Sequence, residues 1–263
     1  MVPVDQRPRP FDEWLALGLL FVVAALLLIR YHDDPFITWT ALGSVWLAVA
    51  ATIRRAAREQ LIFLGFIMPL FVALIAAANH LVIRLTPRTM DWFFLRIDAG
   101  ASTAIYHWTL AHALCSDALW VVYYSLAFFA AVVMSVTPWA RRCLWSLSLT
   151  SFCAPFLYLV FPAVGPAHLG DRLAPRNCMP SMHLAWALVL AAYLPRRWRW
   201  AGALFSLLTA AATLGTGEHY WIDLAAALAY AFAAVRVPLP AGLRSLRVSQ
   251  KAGYPQGTPQ TNS

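Results

Sequence analysis

Residues 118–138 read ALWVVYYSLAFFAAVVMSVTP, twenty-one positions without one charged side chain, closed by Thr137-Pro138. As a helix rising 1.5 Å per residue, a run of this length spans about 30 Å, the thickness of a bilayer's hydrocarbon core. Similar runs recur on both sides of it, and together they predict about eight spans: 14–30, 37–53, 61–83, 118–138, 143–162, 181–194, 200–214 and 220–235. No strand-like alternation persists long enough for an outer-membrane barrel. In lipid the backbone must satisfy its own polar groups, so the expected fold class is an all-α polytopic membrane protein.

Composition agrees. The chain is 61% hydrophobic with only 12% charged residues, and its mean hydropathy is +0.63. A soluble domain carries about twice that charged fraction. The net charge of +8 and pI near 9.7 would suit a nucleic-acid partner, but the charges sit in short clusters at helix ends and form no basic face. Nucleic acid is therefore excluded as a partner. Of the 20 Lys and Arg residues, fourteen fall on one side of the alternating loops, including Arg54, Arg55, Arg58, Arg141, Arg142, Arg196, Arg197 and Arg199. By the positive-inside rule that side, with both termini, is cytoplasmic. The chain is expected to be a multi-pass cell-membrane protein.

The chain divides into three regions. Residues 1–60 form a hairpin of two spans and a basic cytoplasmic loop, and the first span reads as a signal anchor rather than a cleaved leader. Residues 61–236 form the catalytic membrane core, and 237–263, rich in Pro, Gly, Ser and Gln, form a disordered cytoplasmic tail. Two outer segments, 86–116 and 163–180, are too long for tight turns. The start of the first, 86–96, mixes aromatics with charges, as an interfacial helix does. Residues 163–180 carry Gly165, His168, Arg172 and Arg176. Cys115 and Cys178 both fall outside, where a disulfide is permitted, but spacing alone does not establish one.

Two constellations carry chemistry. Asn177-Cys178-Met179-Pro180-Ser181-Met182-His183 opens the sixth span. Ser181 is placed to cap that helix, whose first N–H groups favour a bound anion such as phosphate. His183 stands just inside as a proton donor. Gly215-Thr216-Gly217-Glu218-His219-Tyr220-Trp221-Ile222-Asp223 opens the eighth span. His219 and Asp223, four apart, share a helical face. A carboxylate accepting one imidazole N–H fixes the tautomer and activates the other nitrogen as nucleophile or base. A plain N-cap and a structural His–Asp pair are the bland alternatives, but both strings open helices at the same outer face, where the Phe161–Pro166 break also ends the fifth span. Thirteen residues separate Arg196 from His183, about 20 Å of helix. The site is thus expected near glycerol depth, which suits a lipid phosphate.

Pro180-Ser181-Met182-His183 resembles the second signature of the type 2 phosphatidic acid phosphatase superfamily, and His219 with Asp223, spaced H-x-x-x-D, resembles its third. The strings 162–166, 180–187 and 217–224 resemble the inositolphosphorylceramide-synthase-like branch. The resemblance implies that His219 attacks phosphorus to form a phosphohistidine oriented by Asp223. It further implies that His183 protonates the leaving oxygen, that Ser181 binds a phosphate oxygen, and that no metal or other cofactor is required. Gly165 and Tyr220, within the matching strings, join Ser181, Arg172 and Arg176 as candidate substrate-binding residues. The superfamily's first signature is absent, and its Ser-Arg before the nucleophile is Ala212-Thr213 here. Arg172 and Arg176 then become the candidate phosphate cations, guanidinium being suited to bidentate contact.

The expected function is a lipid phosphotransferase that moves a phospho-headgroup between lipids at the outer face. A lipid phosphate phosphatase would use the same residues with water as acceptor. A non-enzymatic transporter or metal-binding membrane protein is the remote alternative, since the chain lacks H-E-x-x-H and paired cysteines. Oligomeric state is not legible.

Overall fold

The computed structural model describes residue 79 and residues 81–171 and 174–240, and the described residues form helices and turns with no strand. The expected hairpin at 14–30 and 37–53, nearly all of the 61–83 run, Arg172 and the tail beyond 240 lie outside the described residues. From residue 91 the chain forms a helical array: α1 (Asp91–Ile97), α2 (Ala101–Leu110), α3 (Ala113–Tyr124), α4 (Leu126–Val136), α5 (Ala140–Val160), α6 (Met182–Tyr193), α7 (Arg199–Gly215) and α8 (Trp221–Arg236). The last four begin and end within three residues of the expected spans.

The 118–138 run departs from expectation, since it is not one straight helix. Its two straight parts, Ala113–Tyr124 and Phe128–Met134, meet at 45°. The physical reason lies at Ser125. Its hydroxyl donates to the Val122 carbonyl at 2.7 Å, and its N–H is shared between Val121 and Val122. That tightened turn competes with the regular ladder and bends the axis.

Among the described residues, α5 alone is a single helix long and apolar enough to cross a membrane, with a window hydropathy of 1.6; the bent α3–α4 pair passes only if taken together, and α6 is apolar but shorter. The count of eight spans is therefore not established by these residues. Pro155 lies inside α5 and removes the N–H that would reach the Ser151 carbonyl.

Helix α6 is the hub, packing against α4, α5, α7 and α8. Ala185, Ala187, Val189 and Leu190 of α6 are fully buried against Val133, Cys143, Leu214, Leu224 and Ala227. Gly202 lets α7 approach closely, for a Cβ there would meet Ala191 Cβ at 2.8 Å. Polar ties fasten the lower end of α6. Tyr193 meets Ser146 of α5 at 2.9 Å, Ser146 donates to the Ala234 carbonyl of α8, and Thr137 donates to the Tyr193 carbonyl. Meanwhile Phe152, Phe156, Leu207, Leu228 and Phe232 point outward, an apolar exterior that suits lipid better than water. The consequence is a bundle whose hub helix is clamped at its C-terminal end.

Candidate active site

The upper ends of α6 and α8 meet. The Ser181 N–H donates to the Asp223 carbonyl at 3.3 Å, and the Cys178 N–H donates to Ala163 at 3.1 Å. The 163–168 segment joins them through Ala167 N–H to the Gly217 carbonyl at 2.9 Å. Gly165 sits at φ +87°, and a Cβ on it would stand 2.4 Å from the Glu218 carbonyl oxygen. Only glycine allows this conformation at that distance. The strings 163–166, 177–183 and 215–223 thus form one cluster.

His219 is 4% exposed. Its Nδ1 lies 2.8 Å from the Cys178 carbonyl and 3.6 Å from Asp223 Oδ2. A carbonyl can only accept, so Nδ1 carries the proton and the neutral ring keeps its lone pair on Nε2. The main chain of Cys178 thus makes the hydrogen bond that the sequence reading assigned to Asp223. The reason is that Asp223 Oδ2 is already engaged. It accepts the Tyr220 N–H at 2.7 Å and the Cys178 thiol at 2.7 Å. Asp223 lies beside the ring without holding it directly.

Asp223 is fully buried. Its Oδ1 has no hydrogen-bond partner among the described residues. Burial, and then the neighbouring Asp223 carboxylate, push the Cys178 thiol well above its ordinary pKa, so it stays protonated as a donor. Cys115 and Cys178 are both free thiols, and the permitted disulfide does not form.

Ser181 caps α6, its hydroxyl accepting from the Leu184 N–H at a long 3.5 Å, and it is itself fully buried. His183, one residue into α6, is partly buried. Its ring stacks on Tyr123 of α3 with centroids 3.8 Å apart and planes at 26°. Tyr123 was not among the expected site residues, because nothing in an apolar run marks one tyrosine as a platform.

Two candidate substrate residues have other occupations. Tyr220 is fully buried, its hydroxyl donating to Asp91 Oδ1 at 3.1 Å and its ring lying against Phe94. It therefore braces the site from behind. Arg176 is 2% exposed and its guanidinium donates to the Ala174 and Asp171 carbonyls, so it is a loop-tying residue and not part of a solvated loop. Arg172 lies outside the described residues. Thr213, which stands where the superfamily pattern has a cation, is fully buried with its hydroxyl on its own helix.

Two carboxylates that sequence reasoning passed over hold the frame. Asp91 accepts the Val164 and Gly165 N–H groups at 3.0 and 3.2 Å as well as the Tyr220 hydroxyl. Asp98 accepts from Ser102 and from the Trp221 N–H, the first of α8, at 3.2 Å. The first N–H of α8 is thereby taken by protein acceptors. The one available signal was charge amid aromatics in 91–98. At the rim, His168 Nε2 and Glu218 Oε1 pair at 3.1 Å. That hydrogen bond raises the His168 pKa against the opposing effect of burial.

A model of the PAP2 superfamily matches residues 95–237 of this chain, a region that contains α2 to α8 and every described candidate residue except Asp91. No curated protein matches, and no solved structure does.

Proposed function

The chain belongs to the PAP2 superfamily and is thus a phosphatase or phosphotransferase acting on phosphate esters; from that premise we propose that it is an integral membrane lipid phosphotransferase of the inositolphosphorylceramide-synthase-like branch. In this reading His219 Nε2 attacks the phosphorus of a donor lipid and the bond to the leaving oxygen breaks. His183 gives that oxygen its proton. An acceptor alcohol then loses its proton to His183 and attacks the phosphohistidine, and the P–N bond returns its electron pair to Nε2. Atoms and charge balance without a further reactant. Asp223 offsets the cationic ring, Ser181 and the α6 terminus face the phosphoryl oxygens, and Arg172 serves as the phosphate cation, since Arg176 is engaged by the loop carbonyls of Asp171 and Ala174.

The single observation that carries the reading is the His219 Nδ1 contact with the Cys178 carbonyl, because it leaves the Nε2 lone pair ready for attack. The α5 helix and the family together make the chain membrane-associated. A multi-pass topology with both termini cytoplasmic, and with the site at the outer face, rests on the distribution of Lys and Arg.

The test is product analysis by mass spectrometry. Purified protein meets a panel of phospholipids and lipid phosphates, with and without lipid alcohols, beside His219→Ala. The expected result is a new phospho-headgroup lipid that requires both acceptor and wild-type protein. Free phosphate with no acceptor requirement would instead make the protein a lipid phosphate phosphatase. Full turnover by His219→Ala would overturn the mechanism.

A further inference from the structure

Beside the nucleophile lie three unlike donors that the phosphotransfer reading uses only in part. Cys178, His219 and Asp223 each offer one ligand atom within 4.8 Å of the other two, and all three residues are buried. Two of the separations are informative. Bonds of about 2.0–2.3 Å around a tetrahedral zinc place neighbouring ligand atoms roughly 3.3–3.7 Å apart. His219 Nδ1 and Asp223 Oδ2 already stand at 3.6 Å. Cys178 Sγ and Asp223 Oδ2 are closer, at 2.7 Å, because a thiol proton lies between them. Removing that proton turns a donor–acceptor pair into two anions that separate unless a cation enters.

A second observation points the same way. Asp223 Oδ1 is buried with no hydrogen-bond partner among the described residues. The carboxylate's one ion-pair contact there is His219, and only if the ring is protonated. Oδ2 accepts two hydrogen bonds, but a buried carboxylate oxygen left without one is costly. One thiolate plus one carboxylate carry a charge of −2, which a divalent cation neutralises. Sulfur, nitrogen and oxygen donors together select zinc, cobalt or cadmium over magnesium or calcium.

We propose that Cys178, His219 and Asp223 form a site for a soft divalent cation of the zinc class, and that its occupation shuts the enzyme off. The cation displaces the Cys178 thiol proton to solvent, and the His219 proton moves from Nδ1 to Nε2 as the ring changes tautomer. It binds thiolate, neutral imidazole and carboxylate, leaving a fourth position for water. His219 then loses its contact with the Cys178 carbonyl, and Nε2, now protonated, has no lone pair with which to attack phosphorus. The binding itself is independent of the phosphotransfer reading; the inhibition rests on it.

The experiment uses the full chain in detergent, with Cys115→Ser and Cys153→Ser introduced to silence the partly exposed thiols. Cobalt(II) is expected to give a near-ultraviolet thiolate-to-cobalt charge-transfer band, one ion per chain, that zinc displaces. Adding Cys178→Ser is expected to abolish the band and to raise the zinc concentration that halves residual turnover by more than about tenfold. Asp223→Asn, which keeps the thiol, is expected to weaken cobalt binding by a similar factor, so the site stays testable even if Cys178→Ser fails to fold. Absence of the band, or equal zinc sensitivity with and without Cys178, would overturn the proposal. A normal band in a protein that turns over no phosphate ester would uphold the site and remove the phosphotransfer reading instead.

Discussion

At the scale of single residues, the site is built from acceptors that hold donors in place. His219 is oriented by a main-chain carbonyl, Asp223 is held by a thiol and an amide N–H, and Tyr220 is held by Asp91. Asp223→Asn keeps the shape but removes the charge that favours a cationic ring, and it presents an NH2 group toward Sγ or the Tyr220 N–H. Turnover is expected to fall about 10²–10⁴-fold with substrate affinity little changed, checked by separating kcat from KM. A loss confined to KM would make Asp223 a binding residue only. The sequence brought out His183, His219, Asp223 and Ser181 because their spacing repeats a family pattern. It could not bring out Cys178 as a partner, or Asp91 and Tyr123, because those contacts join residues 45, 129 and 60 positions apart. No local pattern encodes such a contact.

At the scale of elements, the loops that close the site matter as much as the helices that carry it. Helices α5 to α8 were legible because Pro, Gly and Arg punctuate the apolar runs. The break between α3 and α4 was not, since a lone serine within an apolar run gives no reliable stop signal and acts here through its own hydroxyl. The 163–168 segment is held by a glycine that admits no side chain. Gly165→Ala would drive a methyl group into the Glu218 carbonyl at a backbone angle alanine resists. It is expected to cost about 1–3 kcal/mol and most of the activity, read as a lowered melting temperature in detergent beside a lowered rate. A variant as stable and as active as wild type would show that the segment tolerates displacement and does not brace His219.

At the scale of the whole molecule, the apolar exterior and the long apolar α5 helix of the described residues agree with a protein that lives in lipid, while the arrangement of its ends is a matter of charge. A cysteine at Asp171 is expected to react with an impermeant maleimide on intact cells, and one at Arg197 only after permeabilisation. The reverse pattern would put the catalytic face on the cytoplasmic side. The short hub helix has its own consequence. Its 12 residues extend about 18 Å, well under a hydrocarbon core of about 30 Å. In the proposed topology α6, fastened at one end to α5 and α8, would deliver His183 partway into the membrane. The reacting phosphate would then sink to meet it, or the lipid sheet would dimple. Acyl-chain length thereby becomes a kinetic variable, with thinner bilayers shortening the descent. Turnover in vesicles of graded chain length is expected to rise as the bilayer thins, so that the membrane itself sets part of the enzyme's rate.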